Sequence, residues 1–450
     1  MLLMKPRKLA KGLGAAVAML VAVSASGEDL LAIYDRALVN DPVIREAEAN
    51  RKATGQNRPL AIANLMPGVS ASAGRTRSWG SQNINGVPLP GSTDGYITRD
   101  TWRVSIDQPI FTWEGWMNLR IANHQVAQAE ADYRARLQEL AQRVAQQYFA
   151  VLNARDNLRA QEAARDAIQR QLEQAEQRFE VGLIAITDVQ NARAERDNAN
   201  AAVISARRQL ASAEEQLRAI IGERPPALNE PTPDMPLVSP DPADEDAWVN
   251  AAMENNLSLI SARIAADIAR SQVNRSFGGF MPRVGLTLSK DHSEGRENDS
   301  VSNGKSVSLG FSMNLNGAGY GTYSSTRQSQ FQWIAARERL ERTSRDTERA
   351  TRDAYQGVIS EIARVQALRQ AVESSRTSLE ATEAGYEVGT RTAVDVLDAR
   401  RLLIQAETAY SAAKYAYLNN IIQLRLAAGG LDRNVIEEIN QWLTVAPEAN

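Results

Sequence analysis

The chain has 450 residues, with 51 Lys and Arg against 54 Asp and Glu, a formal net charge of −3, two histidines and no cysteine. The lack of cysteine excludes a disulfide framework, a thiolate metal site, a cysteine nucleophile and a lipidated N-terminal cysteine. His124 and His292 stand without the company that a hydrolase triad or a zinc site needs. The chain is therefore expected to be no enzyme and to hold no metal or cofactor, and its charge gives no reason to expect nucleic acid.

Lys5, Arg7, Lys8 and Lys11 precede an apolar run over 13–23, followed by the small residues Ala25, Ser26 and Gly27. This is the pattern of a secretory signal over 1–27, cleaved near Gly27 and Glu28. Its loss moves the net charge from −3 to −7, since it holds four positive charges and no acid. The apolar run is too short to span a bilayer as a helix. No later stretch approaches about eighteen consecutive apolar residues, so any membrane entry by the mature chain must be as strands.

A helix is expected over 43–65. Beyond it Val69, Ala71 and Ala73 alternate with small polar residues, and Trp102, Val104 and Ile106 alternate with Arg103, Ser105 and Asp107. Period-two alternation places one face in apolar and one in polar surroundings. Trp79, Trp102, Trp113 and Trp116 are expected at or near strand ends, where an interfacial aromatic girdle would lie. From about Leu119 to Phe179 there is neither proline nor glycine. That is roughly 90 Å of helix, far beyond the globular average. Leu137, Val144, Val151 and Leu158 give it a heptad seam.

After a turn, a helix over 188–221 carries two seams. One is Val203, Leu210 and Leu217, with Arg196 interrupting a register earlier; the other is Ala192, Ala199, Ala206 and Ala213. Two apolar seams imply a neighbour on each side, which makes a wall of helices. The helices over 43–65 and 188–221 together match the long helix and are expected to stack end to end beside it. Between them the proline- and acid-rich stretch 223–246 is expected to be irregular and peripheral.

The chain then repeats itself, the most informative pattern it contains. At an offset of 215, Asn40-Asp41 lies over Asn255-Asn256, Met66-Pro67 over Met281-Pro282 and Val69 over Val284. At 207, Phe179-Glu180-Val181-Gly182 lies over Tyr386-Glu387-Val388-Gly389, and Asp188-Val189 over Asp395-Val396. The expected organisation is a first repeat over 28–222, a linker over 223–246, a second repeat over 247–430, and a C-terminal helix and tail over 431–450, the helix packing as a belt. Strands are read at Val284, Leu286 and Leu288, and at Val307, Leu309, Phe311, Met313 and Leu315. The seams recur as Val396, Leu403, Tyr410, Tyr417 and Leu424, and as Ala399, Ala406 and Ala413. Gly317 to Gly321 lacks the lysine and spacing of a phosphate loop and reads as a strand-to-helix bend. Four strands cannot close a membrane barrel, since known ones begin at about eight. An open edge in lipid would leave backbone groups unpaired, so three copies are expected to pool twelve strands. A small soluble sheet is the alternative.

The turns that join the helix pairs carry the sharpest signal. They run from Arg178 through Gly182 and Asp188 to Arg193, and from Gly385 through Gly389 and Asp395 to Ala399. Both closely resemble the helix–turn–helix tips of TolC-type outer-membrane efflux proteins, and the resemblance extends from Glu28 to about Trp442. It implies a mainly α fold with a small β part: a homotrimer whose twelve-stranded barrel continues into a twelve-helix periplasmic tube with an iris at its inner end. The family positions that latch the iris correspond to Thr187 and Asp188 in the first tip and Tyr386 and Arg391 in the second. Those that narrow the pore with acidic rings correspond to Asp395 and Asp398. Ala393 departs from a position where a larger aliphatic residue is common, and no extended C-terminal tail follows. Thr187 with Gln190 also has capping-box spacing, as does Thr392 with Asp395.

The function implied is a passive exit duct in the outer membrane of a Gram-negative bacterium, reaching into the periplasm. It would serve efflux, type I secretion or both, in contact with outer-membrane lipid, and would open when an inner-membrane transporter and a periplasmic adaptor dock. The competing expectations are a pore-free periplasmic coiled-coil protein and an autonomous diffusion porin.

Overall fold

A computed structural model describes residues 28–79, 83–84, 87–88, 96–232, 235–296 and 300–444, so the expected signal segment and the end of the tail lie outside the described residues. The elements in chain order are helices α1 (Leu30–Asn40), α2 (Pro42–Gly55) and α3 (Asn57–Ala63), and strands β1 (Gly68–Trp79), β2 (Asn83–Ile84), β3 (Val87–Pro88) and β4 (Tyr96–Phe111). Helices α4 (Trp113–Glu180) and α5 (Ile186–Ile221) follow, then β5 (Glu230–Pro231), α6 (Glu245–Asn255) and α7 (Leu257–Phe277). The second repeat continues with β6 (Arg283–Gly295), β7 (Ser300–Ser312), α8 (Tyr320–Glu387) and α9 (Ala393–Ala427), and the chain closes on α10 (Arg433–Asn440) and β8 (Leu443–Thr444).

Local chemistry explains the breaks. Pro42 takes the first helical position of α2, where a missing N–H costs nothing. Asp41 caps that helix by accepting from the Val43 amide at 2.9 Å. Asn256 does the same for α7 through the Leu259 amide. The helix expected over 43–65 is interrupted at Gln56, whose amide turns back to the Ala53 carbonyl. The long helix starts at Trp113, earlier than the Leu119 expected, because the β4 strand bulges at Pro109 and passes into helix across Thr112 alone. Trp113 and Trp116 therefore sit on the first turn of α4, while Trp102 lies in the interior of β4 and Trp79 ends β1. Strand β7 stops at Ser312, short of Met313 and Leu315. A turn with positive φ at Gly317, Ala318 and Gly319 then redirects the chain into α8.

The two long helices are equal, at 68 residues each, roughly 100 Å at 1.5 Å per residue. They run along one wall with shorter helices stacked end to end beside and between them. On one flank of α4, α2 and α3 lie above α5; between α4 and α8, α7 lies above α9. Each stack is joined end to end: Asn40 donates to the Ile221 carbonyl at 2.9 Å, and Asn256 to the Ala427 carbonyl at 3.0 Å. The wall thus runs α5, α4, α9, α8 in its lower half, and α5 barely touches α9. Ala192, Ala199 and Ala206 are buried beside Val203 and Leu217, and Ala399 and Ala413 beside Val396, Tyr417 and Leu424, while Leu210, Ala213, Leu403, Ala406 and Tyr410 are half-buried. The two seams alternate three and four residues apart and so form one face; the edge helix α5 buries both toward α4, which corrects the expected neighbour on each side.

Halfway along, α1, α6, α10 and the linker pack on the wall and hold its largest core. Leu30, Ile33, Tyr148, Phe149, Leu152, Leu217, Tyr417, Leu418, Ile436 and Ile439 meet there. The linker joins this core: β5 pairs with β8, and Glu28 bridges to Leu228. Tyr148 donates to the Asn229 carbonyl at 2.8 Å, and Tyr417 both donates to and accepts from the Val238 backbone. Burial pushes the Tyr148 and Tyr417 hydroxyls up, so both stay neutral donors.

At the upper end the four long strands form one antiparallel sheet in the order β1-β4-β6-β7. Polar partners meet on one face, as in Ser70 with Ser105 and Ser289 with Ser306, both at 2.8 Å. Val69, Ile106, Leu288 and Val307 share the other. Among the described residues the edge strands β1 and β7 each lack a partner on their outer side. Among the described residues no helix is long and apolar enough to cross a membrane.

Candidate functional site

The candidate site is the lower end of the wall, where α4 turns into α5 and α8 into α9. Both turns are built alike. Gly182 and Gly389 take left-handed φ of +74° and +81°. The amides of Gly182 and Leu183 return to the carbonyls of Phe179 and Arg178 at 2.9 and 2.8 Å; those of Gly389 and Thr390 return to Tyr386 and Gly385 at 3.1 and 2.8 Å. This is the Schellman closure of a helix C-terminus, which satisfies the last carbonyls. A Cβ at either glycine would meet nothing within 4 Å, so conformation rather than space demands glycine.

A small core backs each turn. In the first, Leu172, Ala175, Val189 and Ala192 pack with Ile184; in the second, Leu379, Val396 and Ala399 pack with Tyr386 and Leu403. Each hairpin is also crossed by an ion pair that sequence reading did not pick out: Glu176 with Arg193 at 2.9 Å, and Glu383 with Arg400. The signal was present, because both residues of the first pair recur at the same offset of 207 in the second.

The second helices begin differently. Thr392 and Asp395 form a full capping box: the Asp395 carboxylate accepts from the Thr392 amide and hydroxyl, both at 2.9 Å, and the Asp395 amide donates to the Thr392 hydroxyl at 3.3 Å. Those bonds, the backbone one foremost, hold the Asp395 carboxyl below its usual range. In the first tip the N-cap is Ala185, with no side-chain bond. The capping role expected of Thr187 is thereby corrected: α5 starts at Ile186, so Thr187 already lies within its first turn.

Thr187 is exposed and Asp188 partly exposed on the first turn of α5, at the open flank of the wall. Tyr386 lies at the end of α8, the helix at the other edge of the wall, and Arg391 in the turn beyond it. Among the described residues no hydrogen bond or ion pair joins Thr187 or Asp188 to Tyr386 or Arg391 within one chain. Tyr386 instead meets the first hairpin through Arg178, whose guanidinium lies 4.6 Å from the ring centre. Gln171 adds a bond to the Ala393 carbonyl at 3.4 Å. A polar cleft of about 440 Å³ lies between the hairpins, lined among others by Gln171, Arg178, Glu383, Tyr386 and Arg400. Asp395 and Asp398 share a face of α9 one turn apart. Asp398 is exposed and pairs with Arg401 at 2.6 Å. Among the described residues no cluster of His, Asp or Glu has the arrangement of a metal site.

Comparison with known proteins agrees with this architecture. The family model described as outer membrane efflux protein matches residues 33–223 and 248–430, once per repeat. The chain is 34% identical to the outer membrane protein TolC of Escherichia coli strain K12 over 439 residues, covering 94% of this chain and 86% of that protein. It is 30% identical to the alkaline protease secretion protein AprF of Pseudomonas aeruginosa, covering 96% of this chain and 91% of that protein. The Campylobacter jejuni CmeC outer membrane channel superposes with a TM-score of 0.78 at 16% identity, covering 97% of both chains.

Proposed function

The chain belongs to the outer membrane efflux protein family and is an outer-membrane exit duct for efflux or secretion; we propose that three copies close into one gated tube, with no catalysis of their own. The observation that carries this reading is the pair of open edges. The sheet ends on β1 and β7, and the helical wall ends on α5 and α8. On β7, Val307, Leu309 and Phe311 are 71–73% exposed in one chain, and an unpaired strand edge in lipid would leave each backbone group unsatisfied. Pairing β7 of one copy with β1 of the next, and α8 with the neighbouring α5, removes every edge at once. A diffusion porin has no use for roughly 100 Å of helix, and a pore-free coiled coil has none for the apolar strand face.

The same closure positions the gate. Thr187 and Asp188 begin α5, at one edge of the wall, and Arg391 follows α8, at the other, so closure brings Asp188 of one copy to Arg391 of the next, while Tyr386 braces the latch from within its own chain against Arg178. Asp188 with Arg391 supplies a charge-assisted contact across each of the three boundaries. The gate is a bistable element: these contacts favour the closed state, and docking of a periplasmic adaptor and an inner-membrane transporter at the tips favours the open one. Asp395 and Asp398, repeated by the symmetry, give acidic rings at the narrow end and make the pore cation-selective.

Single-channel recording in planar bilayers tests this. Asp188→Ala with Arg391→Ser is expected to raise conductance several-fold, and an unchanged conductance would refute the latch. Asp395→Asn with Asp398→Asn keeps the capping geometry and is expected to reduce cation selectivity; a wild-type pore selective for anions would refute the rings.

A further inference from the structure

One face of the strand sheet changes character along its length. From the helical end outward, cross-strand rows on that face pair Val284 with Phe311 and Leu286 with Leu309, and then align Val69, Ile106, Leu288 and Val307. The next row is Ala71, Val104, Lys290 and Lys305; the one after is Ala73, Trp102, His292 and Asn303. Two lysines are thus direct cross-strand partners on a face that, Gln108 beside Leu286 aside, is apolar up to their level. Like charges directly opposite one another destabilise a sheet, and a lysine facing hydrocarbon is tolerated only near the interface.

Among the described residues neither ammonium has a carboxylate within ion-pair distance. Asp291 lies on the other face, packed over Gly304. Asp100, two rows farther out, is already held by Arg75 at 2.6 Å and Arg296 at 3.0 Å. Glu294 is four residues outward along β6 and lies 4.0 Å from His292. Barrel closure supplies no acid either: β1, the strand a neighbour lays beside β7, contains Arg75 and Arg77 and no carboxylate. The Lys290 ammonium lies 5.6 Å from the centre of the Trp102 ring, on which His292 stacks at 5.8 Å. An indole at this level marks the bilayer boundary, to which lysine tips extend along their apolar stems. Two uncompensated ammonium groups beside that boundary are matched by an anion fixed there.

We infer that Lys290 and Lys305, beside Trp102 and His292, form a binding site for the phosphate of a phosphorylated lipid headgroup in the outer leaflet, one site per chain. The inference rests on the outer-membrane reading above. Charge-assisted N–H to phosphate bonds from both lysines offset their mutual repulsion.

The test uses the purified full-length protein reconstituted with bis-phosphorylated lipid A, with its dephosphorylated form, or with phosphatidylglycerol. Lipid retained through detergent exchange is counted by native mass spectrometry. Lys290→Met with Lys305→Met keeps the apolar stems and removes charge from an apolar band, so assembly is expected to survive. This variant should retain about tenfold less phosphorylated lipid than wild type, and Lys290→Arg with Lys305→Arg should match wild type. Preference for phosphorylated lipid A over phosphatidylglycerol assigns the site to the glycolipid; equal retention of both assigns it to any outer-leaflet phosphate, and either supports the site. Equal retention of phosphorylated and dephosphorylated lipid A, or wild-type retention by the methionine variant, overturns it. Membrane fractionation separates the two levels. A wild-type protein absent from the outer membrane sinks the underlying reading, whereas correct fractionation with unchanged lipid retention sinks only the phosphate site.

Discussion

The two hairpin tips have the same backbone and different chemistry. Both turn on a left-handed glycine with the same pair of return bonds, and both are crossed by a Glu–Arg pair. Yet the first tip starts its second helix on an uncapped alanine and exposes Phe179, Val181, Leu183 and Ile186, while the second starts on a closed capping box and half-buries Tyr386 against the first. Geometry was kept after duplication because the turn demands it; side chains diverged because each tip has its own neighbours. The first tip leaves four large apolar side chains exposed, the second leaves Val388 and Val394.

The largest effect expected from breaking this comparison is at the latch. Loss of Asp188 and Arg391 together should increase conductance several-fold, whereas Arg193→Ala, which opens only the internal pair of the first hairpin, should leave it near wild type. Next come the glycines. Gly182→Ala and Gly389→Ala force the same strained φ with no steric clash, so each should cost about 1 kcal/mol, visible as equal losses of hydrogen-exchange protection in the two tips. An unequal loss would show that packing, and not conformation, selects glycine there.

Capping should separate the tips. Thr392→Ala removes the box and should weaken the start of α9 by about 1 kcal/mol, and Ala185→Thr should strengthen α5 by a similar or smaller amount. Exchange over 392–398 and 185–191 reads both. The smallest effect is set by pH. Asp395 has a folded-state pKa below its ordinary value, so its contribution is complete above the usual carboxylate range. It is lost as pH falls through that range to the depressed value. Protection over 392–398, corrected for intrinsic rates, should fall in acid relative to 185–191, which has no such box; parallel behaviour would contradict the capping assignment.

Much of this was legible from residues alone. Period-two runs located the strands, the glycine- and proline-free stretch located α4, and the heptads of Ala192 and Ala399 located the packed face of each second helix, because each signal is local. Misreadings fell where local signals compete. Thr187 with Gln190 has capping spacing, but Ile186 is drawn into the helix and moves the cap to Ala185. Trp102, expected at or near a strand end, lies inside β4, which runs from Tyr96 to Phe111. What pairs across space stayed hidden. That Lys290 faces Lys305 follows only from strand register, and that Tyr386 lies under Arg178 follows only from the order of helices in the wall. The latch residues are named from family resemblance, but that Asp188 begins α5 at one edge of the wall while Arg391 follows α8 at the other is readable only once the helices are in order.

That separation is the central claim, and it is open to a direct measurement. The chain contains no native cysteine, so Asp188→Cys with Arg391→Cys introduces the only thiols. Oxidised in membranes and run on a denaturing gel, this variant should give covalent dimers and trimers, and a low conductance that reductant raises. A product that stays monomeric, bridged within one chain, would contradict a latch between neighbouring copies.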